Sequence, residues 1–256
     1  MSSEHPSAHL AAVYWRESAR PLTSLVFVLP LLVVYEGGVL WMGPEAMRNG
    51  ADVWLRQLLR VLGLGQYFLL PVLTCGILLG WHHVSRQPWR ITPGVLSMMF
   101  VEATVLAIGL LLVARLQAEL FGVLGISTAA AGPAGVTLAS TAPAPPGLLG
   151  RLAQFFGAGI YEELLFRLML LPAAAGLGQL VGLRPRASWI AAVIVTSLLF
   201  SAAHYRVFIG QGDELALFSF AFRSVAGVFF CLLFLGRGFG IVAGTHALYD
   251  VLVGMF

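Results

Sequence analysis

The sequence predicts an all-α bundle of membrane-spanning helices, and three observations carry that expectation. Of its 256 residues 59% are hydrophobic and 11% charged, with a mean hydropathy of +0.88, outside the range of soluble globular chains. The apolar residues are gathered into runs of roughly 20, the length a helix needs to cross the hydrocarbon of a bilayer. None of these runs shows the short alternation of a membrane strand. Backbone polar groups in lipid must then be satisfied within each segment, so the runs are helices. About seven spanning helices and one interfacial helix are expected.

Residues 1–20 are polar and carry His5, His9, Arg16 and Arg20. The run from Leu22 to about Met42 exceeds the apolar core of a signal peptide and is read as a retained first helix. Pro30 should kink it, and Glu36 near its far end lies either at the interface, the preferred placement, or facing the bundle. Residues 51–62 place Asp52, Arg56 and Arg60 on one stripe, with Trp54, Leu55, Leu58, Leu59 and Leu62 over the rest of the surface. That pattern fits a helix lying in the membrane interface, the alternative being the core helix of a small extramembrane cap. Two further runs, about 66–84 and 93–114, flank His82-His83. Paired histidines invite a metal reading, but beside Trp81, Trp89 and two arginines they fit an interfacial girdle better. Glu102 lies in the middle of the third run, where an acid needs a partner; Arg223, in the middle of a later run, is the expected one.

From Ser127 to Gly147 the chain is Ala, Gly, Pro, Ser and Thr with isolated aliphatics, which reads as a flexible connection. It divides the sequence into residues 1–147, with membrane helices, the interfacial helix and this loop, and residues 148–256, with all the distinctive chemistry. The second part holds apolar segments at about 148–175, 188–204, 215–235 and 238–255. Small residues such as Gly157, Gly159, Gly227 and Gly244 would let these helices approach closely. All 15 basic residues are arginine and the net charge is +3; no basic run suggests nucleic acid as a partner. Cys75 and Cys231 sit in apolar runs without a Cys or His at ligand spacing, as packing residues do. The Arg-only, Ala-, Gly- and Leu-rich composition suits a bacterial protein, which would make this a multi-pass protein of the inner membrane.

The whole chain is organised around Gly159-Ile160-Tyr161-Glu162-Glu163-Leu164-Leu165-Phe166-Arg167. Charges inside a spanning helix cost about 2.5–3.5 kcal/mol each on insertion scales and mark functional sites by default. On an α-helix Glu163 and Arg167, four residues apart, share a face and can pair, while Glu162 is rotated away by about 100°. Glu162 is thus the carboxylate left to act on something else. Two more polar signals follow near the ends of apolar runs: Phe200-Ser201-Ala202-Ala203-His204, and His246-Ala247-Leu248-Tyr249-Asp250, where His246 and Asp250 share a face. Each alone is weak. Three on three helices call for a shared polar cavity.

Together, Glu162-Glu163-x-x-x-Arg167, Phe200-x-x-x-His204 and His246-x-x-x-Asp250 resemble the CAAX prenyl protease and bacteriocin-processing family, over roughly residues 148–255. The resemblance implies intramembrane peptide-bond hydrolysis of a membrane-associated protein or peptide. It implies that Glu162 and His204 activate a water, that His246 and Asp250 stabilise the oxyanion, and that Glu163 and Arg167 support them. No cofactor is then required. Asp250 departs from the family, which carries Asn there: an amide donates to a developing oxyanion, a contribution of roughly 3–4 kcal/mol, whereas an ionised Asp cannot donate. Asp250 either carries a proton, orients His246 or binds a metal. A Zn²⁺ site of Glu162, His204 and His246 therefore stays open, although no His-Glu-x-x-His stretch supports it. A transport path, or a non-proteolytic scaffold or immunity protein, is the reading from a different class. Nothing in the chain says whether the substrate is prenylated; an exported peptide or a C-terminal sorting tag fits equally.

Overall fold

The structure, a computed structural model, describes residues 6–43, 48–65, 67–126, 147–210 and 212–255. The expected flexible connection lies outside these residues except for Gly147. A short helix α1 (Pro6–Ser18) precedes α2 (Pro21–Met42), which starts on Pro21 and carries Pro30 in its interior. The amphipathic α3 (Gly50–Val61), α4 (Leu69–Val84) and α5 (Pro93–Val123) follow. The second part contains α6 (Gly147–Leu180), α7 (Pro185–Ala202) and the single turn α8 (Arg206–Ile209). A last helical stretch, Leu217–Met255, is broken at Gly238.

That break is a reversal. An unbroken helix would hold Phe222 and Tyr249 about 40 Å apart, yet their rings stack with centroids 5.9 Å apart, and the Phe230 and His246 rings lie at 4.7 Å. Residues 217–237 (α9) and 239–255 (α10) therefore form a tight hairpin. Gly238 makes the turn at φ 80°, a conformation that L-residues with a Cβ adopt only under strain. Five helical stretches are long and apolar enough to span a bilayer, and α4 is a shorter apolar helix. With the last stretch folded in two, the described residues hold seven apolar helical segments.

Burial is inverted relative to a soluble protein. Leu29, Val33, Val72, Val101, Val105, Leu112, Ile190 and Ile194 are exposed, while Glu163, Arg167, Arg223, Arg237 and Asp250 are buried. Such an apolar surface matches lipid, and the charges are satisfied inside. The protein is an integral membrane protein.

Two expectations about buried acids are corrected. Glu102 pairs with Arg237, not Arg223: both guanidinium contacts are 2.6 Å, and Tyr14 donates to the same carboxylate. Arg237 stands at the reversal next to Gly238, level with Glu102, while Arg223 lies one helix length away and pairs with Asp213 at 2.7 Å. Four-residue spacing cannot reveal a hairpin turn. Glu36 faces the bundle rather than the interface: it is buried, accepts a hydrogen bond from the Tyr161 hydroxyl at 2.7 Å and pairs with Arg56 at 3.0 Å. The charged stripe of α3 is thus turned partly inward, and fully buried Asp52 accepts from Tyr35 at 2.8 Å and Arg56 at 2.6 Å.

His82 and His83 part company. His82 is buried edge-on against Trp89 at 4.6 Å, and His83 is exposed. Cys75 and Cys231 are free thiols, the latter buried against the Thr196 and Ser197 hydroxyls.

Close approach of α6 and α10 rests on Gly159. A Cβ there would lie 2.7 Å from the Ala243 carbonyl and from the Ala247 Cβ. Gly159→Leu should therefore destabilise the fold by about 1–3 kcal/mol through overpacking. Thermal melting in detergent should show the loss, while Gly37→Ala, where nothing lies within 4 Å of the added carbon, stays at wild type.

Candidate active site

Both glutamates sit on α6, where the helix is wound into π-helical turns over Ala158–Glu162 and Leu164–Leu170. Such i→i+5 turns widen the helix and occur frequently at functional sites. They change the angles that an α-helical reading assumes, but the pair it anticipated is present: Arg167 lies 3.1 Å from Glu163 Oε1, with both side chains buried. Aromatic faces flank the guanidinium, with Phe200 at 4.2 Å and Phe230 at 5.2 Å, and Nη2 donates to the Gly227 carbonyl at 3.4 Å. Glu163 does more than pair. Its Oε1 also accepts a hydrogen bond from His246 Nδ1 at 2.7 Å, tying α6 to α10.

Glu162 points elsewhere. Its Oε1 accepts from the Asn49 side-chain amide at 2.8 Å. Its Oε2 faces His204 Nε2 at 3.7 Å and His246 Nε2 at 3.9 Å, and finds no hydrogen-bond donor among the described residues. His246 Nε2 is 3.6 Å from Asp250 Oδ2, one helical turn on. The structure thus brings Glu162, Glu163, Arg167, His204, His246 and Asp250 into one cluster from α6, the end of α7, and α10. The cluster opens on a cavity of about 570 Å³ lined by Glu162, His204 and Asp250 and walled by Trp54, Phe166 and Phe222, a volume suited to a small-molecule or side-chain site. His246 lies just behind this wall.

His204 is held from its own backbone. The Phe200 carbonyl, which can only accept, takes the Nδ1 proton at 2.8 Å. Nε2 is then the lone-pair nitrogen that faces Glu162. The segment after α8 holds the residue further, since Asp213 donates its backbone N–H to the His204 carbonyl at 2.9 Å. Burial, reinforced by the charge of Arg223, pushes the imidazole down to about 4. Burial likewise pushes the Asp213 carboxyl up, although Arg223 pulls against it.

Among the described residues no group of three His, Cys, Asp or Glu side chains is arranged to hold a metal ion. The contribution of α3 escaped sequence reasoning. Arg48, Asn49 and Trp54 line the cavity, and the one available signal was a helix-capping Asn just before an amphipathic stretch.

The His204 environment generates a stability test. Unfolded His titrates near 6.5, so between pH 4 and 6.5 the unfolded chain binds more protons at this position than the folded one, and stability rises with pH across that window. The stabilisation is complete above 6.5 and is lost as pH falls toward 4. Wild type should lose more melting temperature between pH 7.5 and 5 than His204→Gln does; equal losses would show that the imidazole is not held neutral.

Residues 144–252 match the family described as Type II CAAX prenyl endopeptidase Rce1-like. No curated protein and no solved structure matches the chain. The matched stretch contains all three motifs, whose side chains gather in one cluster beside the cavity; over residues 144–252 the chain is similar to the Rce1-like CAAX prenyl endopeptidases.

Proposed function

We propose that this protein hydrolyses a peptide bond in a membrane-associated or C-terminally tagged protein, using a water activated by Glu162 and His204. The observation that carries this reading is that Glu162 Oε2 and His204 Nε2, both acceptors, face one another at 3.7 Å on the cavity wall. Two acceptors at that separation suit a water that donates one hydrogen to each and presents its lone pair to a substrate carbonyl. Glu162 takes a proton as the water oxygen bonds to the carbonyl carbon. The negative charge moves to the carbonyl oxygen, where His246, as the imidazolium that Glu163 and Asp250 favour, donates through Nε2–H. The same proton then passes to the leaving nitrogen as the peptide bond breaks, so the products are a carboxylic acid and an amine.

Glu163 holds His246 through Nδ1, which commits Nε2 to the cavity side. Asp250 acts on the same imidazole, by orienting it or, when protonated, by donating alongside it. We place no metal in this reading, because His204 Nε2 and Glu162 Oε2 are spaced for a hydrogen-bonded water and Glu162 Oε1 is already engaged by Asn49. The apolar walls of the cavity suit an apolar tail near the cleaved bond, prenylated or not.

Glu162→Gln should abolish cleavage in a folded protein, because the amide keeps the shape and loses the base. Arg167→Ala should instead lower folded yield in detergent, since it leaves Glu163 as a buried charge short of its partner, a loss of about 3–5 kcal/mol. Substrates are found by comparing membrane proteomes with wild-type and Glu162→Gln protein for peptides trimmed only in the former. If no trimming depends on Glu162, the scaffold reading takes over.

Asp250 and the metal question are tested together. Activity should survive strong chelators, and Asp250→Asn should retain a substantial fraction of it, because Asn supplies a donor in the same place. Inactivation by chelator that added Zn²⁺ reverses would replace this mechanism with a metal-dependent one.

A further inference from the structure

We infer that Asn49, at the N-terminus of α3 and outside the stretch that carries the three motifs, is a positioning residue for Glu162. This rests on the reading of Glu162 as the general base. Asn49 caps α3 in extended backbone geometry, its Oδ1 accepting from the Ala51 N–H at 2.8 Å. A backbone N–H can only donate, so Oδ1 is assigned, and Nδ2 is the end that meets Glu162 Oε1 at 2.8 Å. One amide thus links the helix cap to the carboxylate.

The link orients the base. With Oε1 engaged, Oε2 is the oxygen left facing His204 and His246. The cap is itself anchored, because fully buried Asp52 accepts from Tyr35 of α2, Arg48 and Arg56. Arg56 continues to Glu36, which accepts from Tyr161, the neighbour of Glu162. The network closes on the helix it positions. An oriented base needs its lone pair aimed within a fraction of an ångström, and misplacement by about 1 Å can cost a hundredfold in rate.

The two roles of Asn49 separate experimentally. Ser and Thr both serve as helix caps, but their short hydroxyls cannot take the place of the Nδ2 donor. The assay is cleavage in proteoliposomes of a quenched peptide ending in a farnesylated Cys-aliphatic-aliphatic-X sequence, or of the endogenous peptide whose trimming depends on Glu162. Asn49→Ser and Asn49→Thr should each lower kcat about tenfold or more, with KM within about twofold of wild type and melting temperature little changed. Wild-type kcat in both variants would reduce Asn49 to a cap. A fall in kcat only in step with melting temperature would make its role structural, and a rise in KM at constant kcat would make it a substrate contact; each overturns the inference. Glu162→Gln run in parallel separates the two levels: if it cleaves like wild type the functional reading fails, whereas an inactive Glu162→Gln beside a fully active Asn49→Ser sinks the inference alone.

Discussion

The buried carboxylate of Glu163 is the constraint on which the rest of the site depends. In the interior of a membrane bundle an uncompensated charge costs several kcal/mol, and Glu163 is compensated from two directions, by Arg167 one turn along α6 and by His246 Nδ1 across on α10. The first contact is local. The second obliges two helices to meet at a fixed level, which the close approach at Gly159 permits. Because Nδ1 is committed to Glu163, the other imidazole nitrogen is presented to Glu162 and Asp250. Both helices thus converge on one ring, held between its carboxylate partner and the face of Phe230.

Adjacent glutamates take separate tasks because the helix that bears them is wound differently from an α-helix. The π-helical turns on either side of Glu163 redirect the side chains without ending the helix. Glu163 turns to Arg167 and His246, and Glu162 to the end of α7 and the cap of α3. This helix is what the first part of the chain contributes. Its inward charges bind it to α2 and α6 through Asp52, Arg56, Glu36, Tyr35 and Tyr161, and its N-terminus forms one side of the cavity.

A second polar lock sits at the hairpin reversal. Arg237, beside Gly238, gathers Glu102 of α5, the Ser18 hydroxyl and the face of Trp15. It joins α1 and α5 to the turn that sets α9 against α10, and so sets the level of His246 and Asp250 relative to α6. Buried ion pairs are weak evidence for stability in water, but in a bundle surrounded by lipid they specify which helix faces which, since apolar faces alone do not discriminate.

What the sequence alone determined follows from local periodicity and composition. Apolar run length and scarcity of charge gave an all-α membrane bundle, four-residue spacing gave the Glu163–Arg167 pair and the shared face of His246 and Asp250, and the order of three motifs gave the likeness to the CAAX protease family. These features are legible because each is decided within one or two helical turns. The partners of Glu102, Glu36 and Arg223 were not, and neither was Asn49 beside Glu162 across more than a hundred residues of chain. They depend on how helices reverse, cross and level against one another. That is decided by the Gly238 turn, by the π-helical winding of α6 and by the need to pair every buried charge at once, none of which has a period that a sequence displays.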